Sequence, residues 1–179
     1  MDDLPKKVKL RNGKSVTISY LSRKDSVREI LRYINRFVAE GSHLGFDKKF
    51  TLKEESRWKK DKLALMKKGD AFVIIARIDG RIASIAEARR GNFKERNNVG
   101  CGIGVTKECR RLGLGEIMLR RLIIIAKKKM KPKNIYLTVD EPNRPARLLY
   151  KKLGFREIAR FRGWVLHKGK YIDKLFMKL

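Results

Sequence analysis

The chain has 179 residues, of which 42% are hydrophobic, and this length and composition predict one globular domain over residues 1–179 with a core of its own. It carries 46 Lys and Arg against 19 Asp and Glu, a formal net charge of +27, so its surface should attract ligand phosphates, acidic proteins or nucleic acid and should disfavour polyamines as substrates. A polar start over 1–7 and the lack of an apolar run of about 18 residues argue against an export signal and a membrane span, so we expect a cytoplasmic protein without membrane contact.

The N-terminal part is predicted to form a hairpin followed by a helix. Asn12-Gly13 lies between apolar stretches over 8–10 and 16–20, and this dipeptide is typical of a tight turn between two strands. Ser22 is expected to cap a helix whose apolar residues recur at helical spacing and which ends around Glu40-Gly41.

A second helix and a strand hairpin are predicted next in the chain. The segment Thr51-Leu-Lys-Glu54 is a capping-box signature, so a helix should begin there and end at Gly69. Apolar stretches over 71–78 and 81–88 flank Asp79-Gly80, and this arrangement predicts an antiparallel hairpin.

A glycine-rich segment separates a predicted strand over 99–105 from a helix that runs from about Gly115 to Lys129. Its sequence is Arg110-Arg111-Leu112-Gly113-Leu114-Gly115. The glycines let the backbone turn and expose its amides, and the helix start adds unpaired N–H groups and the positive end of the helix dipole. The spacing differs from a Walker loop and from the dinucleotide fingerprint. We therefore predict a cradle for a ligand phosphate that belongs to neither nucleotide motif.

A second motif follows a predicted strand over 135–139. It reads Asn143-Arg-Pro-Ala146-Arg-Leu-Leu-Tyr150-Lys-Lys-Leu-Gly154-Phe155, and it predicts a helix over 144–153 with Asn143 as the N-cap. A strand, a turn over 167–170 and a last strand complete the chain. This order of strands and helices predicts an α/β fold with a mixed sheet.

Together the two motifs resemble the GNAT family of N-acetyltransferases. The glycine-rich segment is similar to the family's pyrophosphate loop, Gln/Arg-x-x-Gly-x-Gly/Ala, and the later motif is similar to its Asn-x-x-Ala-x-x-Leu-Tyr-x-x-x-Gly-Phe block. The resemblance covers residues 71–179 in motif and the first 70 residues only in pattern. It implies a mixed, mostly antiparallel central sheet flanked by helices. It also implies transfer of an acetyl group from acetyl-CoA to a primary amine of a protein, a peptide or a small molecule, by direct attack in a ternary complex.

The resemblance also assigns the cofactor-binding residues. The backbone of β-strand 99–105 would bind the pantetheine arm, the loop would surround the pyrophosphate, and Asn143 would contact the cofactor besides capping its helix. Tyr150 would donate a proton to the departing sulfur, or it is an ordinary core residue. The residues expected to bind acetyl-CoA are Ile103, Gly104, Val105, Arg110, Arg111, Leu112, Gly113, Leu114, Gly115, Glu116, Asn143 and Tyr150. No metal is expected, and the family's frequent dimers make a homodimer an expectation.

The general base is the part of the site that the motifs do not supply. At the two positions where relatives carry a glutamate, this chain has Val99 and Thr138. The remaining candidates are Glu87, together with His43 and Glu40 from the loop between the first helices, which often lines the acceptor site. Imidazole has an ordinary pKa of about 6.5, which suits a base at neutral pH. Alternatively, no dedicated base exists and the rate follows deprotonation of the acceptor itself.

Glu87 is placed by strand alternation. Because side chains alternate between the faces of a strand, Glu87 should share a face with Ala83 and Ile85, toward the cleft. The alternative is an exposed carboxylate paired to Arg89 or Arg90.

A nucleic-acid-binding protein on an acetyltransferase-like scaffold, or an acetyltransferase with a nucleic-acid-associated acceptor, is the alternative function. The +27 charge supports it, and aromatic and basic residues alternate over Arg160-Phe161-Arg162-Gly163-Trp164.

The cysteines, Cys101 and Cys109, lack metal-ligand spacing and are expected to be reduced. Cys109 has no plausible His partner and is not expected to be a nucleophile.

Overall fold

In a computed structural model that describes Leu4 and residues 7–179, the chain forms an eight-stranded sheet. Most of the polar start over 1–7, on which the prediction about export rests, lies outside the described residues. The strands are β1 Lys7–Lys9, β2 Ser15–Tyr20, β3 Ala71–Ile78, β4 Arg81–Arg90, β5 Asn98–Val105, β6 Asn134–Asp140, β7 Arg156–His167 and β8 Lys170–Lys178. Their order in the sheet is β1-β2-β3-β4-β5-β6-β8-β7. All neighbouring strands are antiparallel except β5 and β6, so the predicted mixed, mostly antiparallel sheet is confirmed.

Helices cover both faces of the sheet. The helices are α1 Val27–Ala39, α2 Leu52–Lys68, α3 Leu114–Ile125 and α4 Arg144–Lys152, and a π-helical turn extends α3 over Ala126–Met130. On one face, Ile30 and Phe37 of α1 form a buried cluster with Val73 of β3, against which α2 also packs. On the other face, α3 and α4 cover the larger cluster, which includes Leu119 and Phe155. Among the described residues, no helix combines the length and apolarity that crossing a bilayer requires.

The caps of the first two helices show local chemistry deciding where a helix begins. The capping box is confirmed, because Thr51 Oγ1 accepts from the Glu54 N–H while Glu54 Oε2 accepts from the Thr51 N–H at 2.8 Å. The prediction that Ser22 caps α1 is wrong. Ser26 is the N-cap, and the Ser22 N–H instead donates to Asp25 Oδ2 at 2.6 Å in a turn before the helix.

A β-bulge changes which residues of β4 face which helices. Ala76 pairs with Ser84 while the next residue, Arg77, pairs with Ile82, so Ala83 is an extra residue in β4. Ala83 is buried on the α3 face, whereas Ile85 packs on the α1–α2 face. The prediction that Ala83 shares a face with Glu87 is therefore wrong, because the bulge reverses the alternation at that point.

The sheet opens between β5 and β6, the parallel pair. Their pairing ends at Gly100 opposite Tyr136, whereas pairing of β5 with β4 continues to Val105. The C-terminal half of β5 therefore has a neighbouring strand on one side only. The predicted turns of the hairpins are confirmed, as at Asp79-Gly80, where both residues have positive φ.

Candidate active site

The loop between β5 and α3 forms a concave set of backbone amides. Arg111 and Gly113 both have left-handed backbone conformations, with φ of 62° and 85°. The first helical hydrogen bond of α3 runs from the Ile117 N–H to the Gly113 carbonyl at 3.1 Å. The amides of Leu114, Gly115 and Glu116 therefore lack intrahelical acceptors, as in any first helical turn. Amides presented in this way, at the positive end of a helix dipole, form an anion site.

Basic side chains surround this loop. Lys9, Arg11 and Arg120 line a small pocket beside Gly113, and the Arg11 N–H donates to the Leu112 carbonyl at 3.2 Å. The N-terminal hairpin therefore contributes to the loop. Sequence reasoning missed Arg11, because its approach depends on the packing of β1 and β2 rather than on any motif.

Glu116 follows the loop in the first turn of α3, and its carboxylate is neutralised by two cations. Lys152 Nζ lies 2.6 Å and Arg120 Nη2 lies 3.0 Å from its oxygens. Hydrogen bonds from Lys152 and then Arg120 lower the pKa of Glu116, so its side chain is ionised and paired. The Glu116 amide can consequently face an anion without an unpaired carboxylate beside it.

A tyrosine hydroxyl from α1 is inserted between β4 and β5. Tyr33 accepts a hydrogen bond from the Ile85 N–H at 3.0 Å and donates to the Gly104 carbonyl at 2.8 Å, which also accepts from Ser84 Oγ. A Cβ at position 104 would lie 2.6 Å from the Tyr33 hydroxyl, so only glycine fits there. Burial raises the pKa of Tyr33 above its usual value, so the hydroxyl keeps its proton.

The free edge of β5 can bind an extended ligand. Because the Gly104 carbonyl points toward β4, the backbone groups of its neighbours Ile103 and Val105 point to the side where β6 diverges. The Val105 carbonyl accepts from Arg110 Nε at 3.0 Å. The Arg110 guanidinium also pairs with Glu40 at 2.6 Å, so Glu40 holds the loop arginine and is not an unpaired base. The backbone groups of Ile103 remain for a ligand.

Tyr150 lies on α4, beside the opening between β5 and β6. Its side chain is buried against Phe155, and burial raises the pKa of the Tyr150 phenol to about 12, with a smaller contribution from nearby Cys101 on β5. The phenol is therefore protonated at neutral pH. Asn143 Oδ1 accepts from the Ala146 N–H at 3.4 Å, which confirms its predicted role as N-cap.

Glu87 faces the α1–α2 side of the sheet and is paired. Its partner is Lys62 of α2, not Arg89 or Arg90, so the predicted alternative of an arginine pair is wrong. The reason is that Lys62 lies on the buried side of α2, where its ammonium group reaches Glu87 of β4.

His43 is joined to a carboxylate that sequence reasoning missed. His43 Nδ1 lies 3.2 Å from Asp140 Oδ2 at the end of β6, where Asp140 is almost fully buried. Asp140 lies two residues beyond Thr138 and so on the same face of β6, which is the signal that could have identified it. The His167 ring stacks on His43 with centroids 4.5 Å apart, and burial, followed by the His43 charge, lowers the pKa of His167.

These three side chains also have the spacing of a metal site. The ligand atoms of His43, Asp140 and His167 lie within 4.8 Å of one another, the one such group in the described part of the chain. They come from the α1–α2 loop, β6 and β7, so the fold alone brings them together.

A cavity of about 250 Å³ lies on the α1–α2 side of the sheet, between α1, α2 and β5. Gly102, Ile103 and Gly104 form its floor, and Leu44, which follows His43, lies in its wall. The cavity therefore reaches the free edge of β5 from the face opposite α3.

Comparison with known proteins gives matches with acetyltransferases. The sequence model of the acetyltransferase (GNAT) family matches residues 38–155. An N-alpha-acetyltransferase from Sulfurisphaera tokodaii is 30% identical over 102 residues, which are 52% of this chain and 61% of that protein. The match with this relative thus spans less than two thirds of its length.

Solved structures match over nearly the whole chain. An acetyltransferase of the GNAT family from Streptococcus pneumoniae superposes with a TM-score of 0.81 at 24% identity, covering 92% of this chain and 98% of that one. The YncA protein of Salmonella typhimurium, solved with its cofactor acetyl-CoA, gives a TM-score of 0.80 at 21% identity and covers 92% of each chain. At these identities the likeness concerns the fold.

Proposed function

The chain belongs to the acetyltransferase (GNAT) family, and from this premise we propose that it transfers an acetyl group from acetyl-CoA to a primary amine by direct attack in a ternary complex. The observation that carries the proposal is the continuity of three features: the amide cradle at Arg111–Gly115, the free edge of β5, and the Tyr150 phenol. Acetyl-CoA supplies the activated acyl group as a thioester.

The described residues fit acetyl-CoA. The amides of Leu114 and Gly115 would hold the pyrophosphate, helped by the neighbouring cations Arg11 and Arg120. The backbone of Ile103 would hold the pantetheine arm in the way that an added strand is held. The same strand edge would offer an N–H group to the acyl oxygen as negative charge develops there.

Tyr150 would stabilise the departing thiolate by donating a hydrogen bond. Its phenol has a pKa of about 12, and an ordinary thiol has a pKa of about 8.5, so complete proton transfer from Tyr150 to the sulfur is uphill. Tyr150 therefore acts by hydrogen bonding, and the amine's proton ends on solvent or on a base. Burial also raises the pKa of the Cys101 thiol to about 12, which keeps it a poor nucleophile and favours direct transfer over an acyl-enzyme.

We assign the base to His43, oriented by Asp140. In the tautomer with the hydrogen on Nδ1, His43 would donate to the Asp140 carboxylate, and its Nε2 lone pair would be free to take a proton from the amine. Glu87 is the weaker candidate, because its carboxylate is already paired with Lys62.

We expect His43→Ala to lower kcat/KM about tenfold at neutral pH. The loss is smaller than the range of about 100-fold or more that is usual for a general base, because part of the amine arrives neutral. Asp140→Asn should lower kcat/KM in the same direction, because it removes the carboxylate beside His43. His167→Gln, which alters only the stacked neighbour, should keep kcat/KM near the wild-type value. A His43→Ala variant with the wild-type kcat/KM at every pH would show that no dedicated base exists.

The proposed activity is tested by incubating the protein with radiolabelled acetyl-CoA and a panel of amines, peptides and proteins. Label in an amine product is the expected result, and absence of transfer to every class contradicts the proposal.

A nucleic-acid-associated acceptor is the second candidate. Trp164 is 66% exposed beside Phe161 on β7, with Arg160 and Arg162 adjacent. With acetyl-CoA saturating, a kcat/KM that falls more steeply with salt for a nucleic-acid-bound acceptor than for a free small amine would favour this candidate.

A further inference from the structure

The charged side chains that line the cavity between α1, α2 and β5 are carboxylates, although the protein is strongly basic. Three carboxylates, those of Glu54, Glu55 and Glu87, are among its lining residues. No Lys or Arg is among the described residues that line it, although the chain has 46 of them. Glu54 caps α2 and pairs with Lys48, and Glu87 pairs with Lys62, so one lining carboxylate, that of Glu55, has no cation beside it.

Glu55 is the unusual member of this set. It lies in the first turn of α2 and is 5% exposed, and its carboxylate makes no hydrogen bond or ion pair with any residue that the structure describes. Burial, and then the charge of Glu54, raise the pKa of the Glu55 carboxyl. By contrast, Glu87 has Lys62 as its partner. The Glu55 carboxylate is not fully enclosed, because it opens onto the cavity, and an unpaired carboxylate in these largely apolar surroundings favours a cation from outside the chain.

The remaining walls of the cavity are apolar and rich in aromatic rings. Phe46 and Phe50 meet edge to face with centroids 4.9 Å apart, and Trp58 lies one turn beyond Glu55 on α2. A Cβ at Gly102 would meet no atom within 4 Å, so the floor is open. Aromatic faces beside a carboxylate attract an ammonium group by cation–π contact while accommodating an apolar body.

We infer that this cavity binds the acceptor, and that the acceptor is a primary amine with one positive charge on a bulky apolar group, with Glu55 as counter-ion of the incoming ammonium. The inference rests on the proposed function. At about 250 Å³ the cavity falls below the usual ligand-site range of roughly 300–1,000 Å³, so it suits one side-chain-sized group. An arylalkylamine and the N-terminal residue of a peptide with an apolar side chain share this chemistry. Polyamines do not have this chemistry, because their additional positive charges would meet the apolar walls of the cavity.

Binding can be followed without acetyl-CoA through Trp58. The chain has two tryptophans, and Trp164→Phe leaves Trp58 as the one fluorescent reporter in the cavity. In this background, 2-phenylethylamine is expected to quench the fluorescence, and the anion 3-phenylpropionate, similar in shape, is not. Glu55→Gln should weaken binding of 2-phenylethylamine at least tenfold. Asp61→Asn, an exposed change on the same helix, should leave it unchanged. Equal binding of both probes, or an unaffected Glu55→Gln variant, overturns the inference.

A stability measurement separates binding from folding. Because Glu55→Gln removes an unpaired buried charge, its thermal midpoint should equal or exceed that of the parent protein. A lower midpoint together with weaker binding would assign Glu55 a structural role and overturn its role as counter-ion.

Acetyl transfer separates this inference from the proposed function. Transfer to 2-phenylethylamine, or to a peptide that begins with Phe, identifies which source of the amine is used. If ethanolamine is acetylated with a higher kcat/KM than both, the acceptor assignment is wrong while the activity stands. If 2-phenylethylamine binds in a Glu55-dependent way and no amine of any class is acetylated, the cavity's ligand class stands and the proposed function fails.

Discussion

Replacing Tyr150 with Phe is expected to lower kcat about 100-fold while leaving the affinity for acetyl-CoA unchanged. The phenol is buried beside β5 and is held protonated by a pKa of about 12, so it is a donor throughout the neutral pH range. Phe keeps the ring that packs against Phe155 and removes only the hydroxyl. Burial and the neighbouring Cys101 raise the pKa of Tyr150, and no hydrogen bond within the described chain contributes to it. Removing the hydroxyl therefore breaks no such bond, and the variant should fold with wild-type stability.

The measurement is release of free thiol from acetyl-CoA at saturating acceptor, with calorimetric binding of acetyl-CoA alongside. Tyr136→Phe serves as the matched control, because Tyr136 stacks on Phe176 away from α4 and should keep wild-type kcat. A Tyr150→Phe variant with unchanged kcat would show that the thiolate leaves without help from this phenol.

Gly115→Glu is expected to weaken binding of acetyl-CoA by at least about 100-fold. Gly115 lies in the first turn of α3, and a side chain there would point between Leu149 and Val105, at 3.2 and 3.6 Å from their methyl groups. Its carboxylate would bring a negative charge beside the pyrophosphate. Two like charges about 4 Å apart repel by roughly 4 kcal/mol at a surface dielectric of about 20, which corresponds to more than 100-fold in affinity.

Gly115→Gln is the control for this variant, since it has the same size without the charge. It should lose several-fold less affinity than Gly115→Glu. Gly115→Ala should bind nearly as the wild type does, because the flexible end of Leu149 can move by a few tenths of an ångström. Thermal unfolding establishes that each variant is folded. Calorimetry that gives Gly115→Glu the wild-type affinity would rule out a phosphate at this helix start.

Features that rest on local chemistry could be predicted from the sequence. The Thr51 capping box, the Asp79-Gly80 turn and the Asn143 cap each depend on residues within four positions of one another. The resemblance to the GNAT family is confirmed for the same reason, since its motifs are short and contiguous. Ser22 and Ser26 show the limit, because both precede α1 and only the turn made by Asp25 decides between them.

Features that depend on tertiary packing could not be predicted. The bulge at Ala83 leaves no mark in the sequence of β4, and it reversed the expected facing of that residue. Asp140 meets His43 across 97 positions, and Arg11 reaches the phosphate loop through the packing of the first hairpin. Glu55 follows a capping glutamate and looks like an ordinary exposed charge of a first helical turn. Only the cavity beneath α2 shows that it is buried without a partner.

The central claim is direct transfer from acetyl-CoA to an amine, and a single-turnover experiment with radiolabelled acetyl-CoA tests it most directly. Without an amine, the protein should remain unlabelled and no free coenzyme A should appear. With a suitable amine, label should enter the product as coenzyme A is released in equal amount. Stable label on the protein in the absence of an amine, or coenzyme A release that does not depend on the amine, would contradict the account.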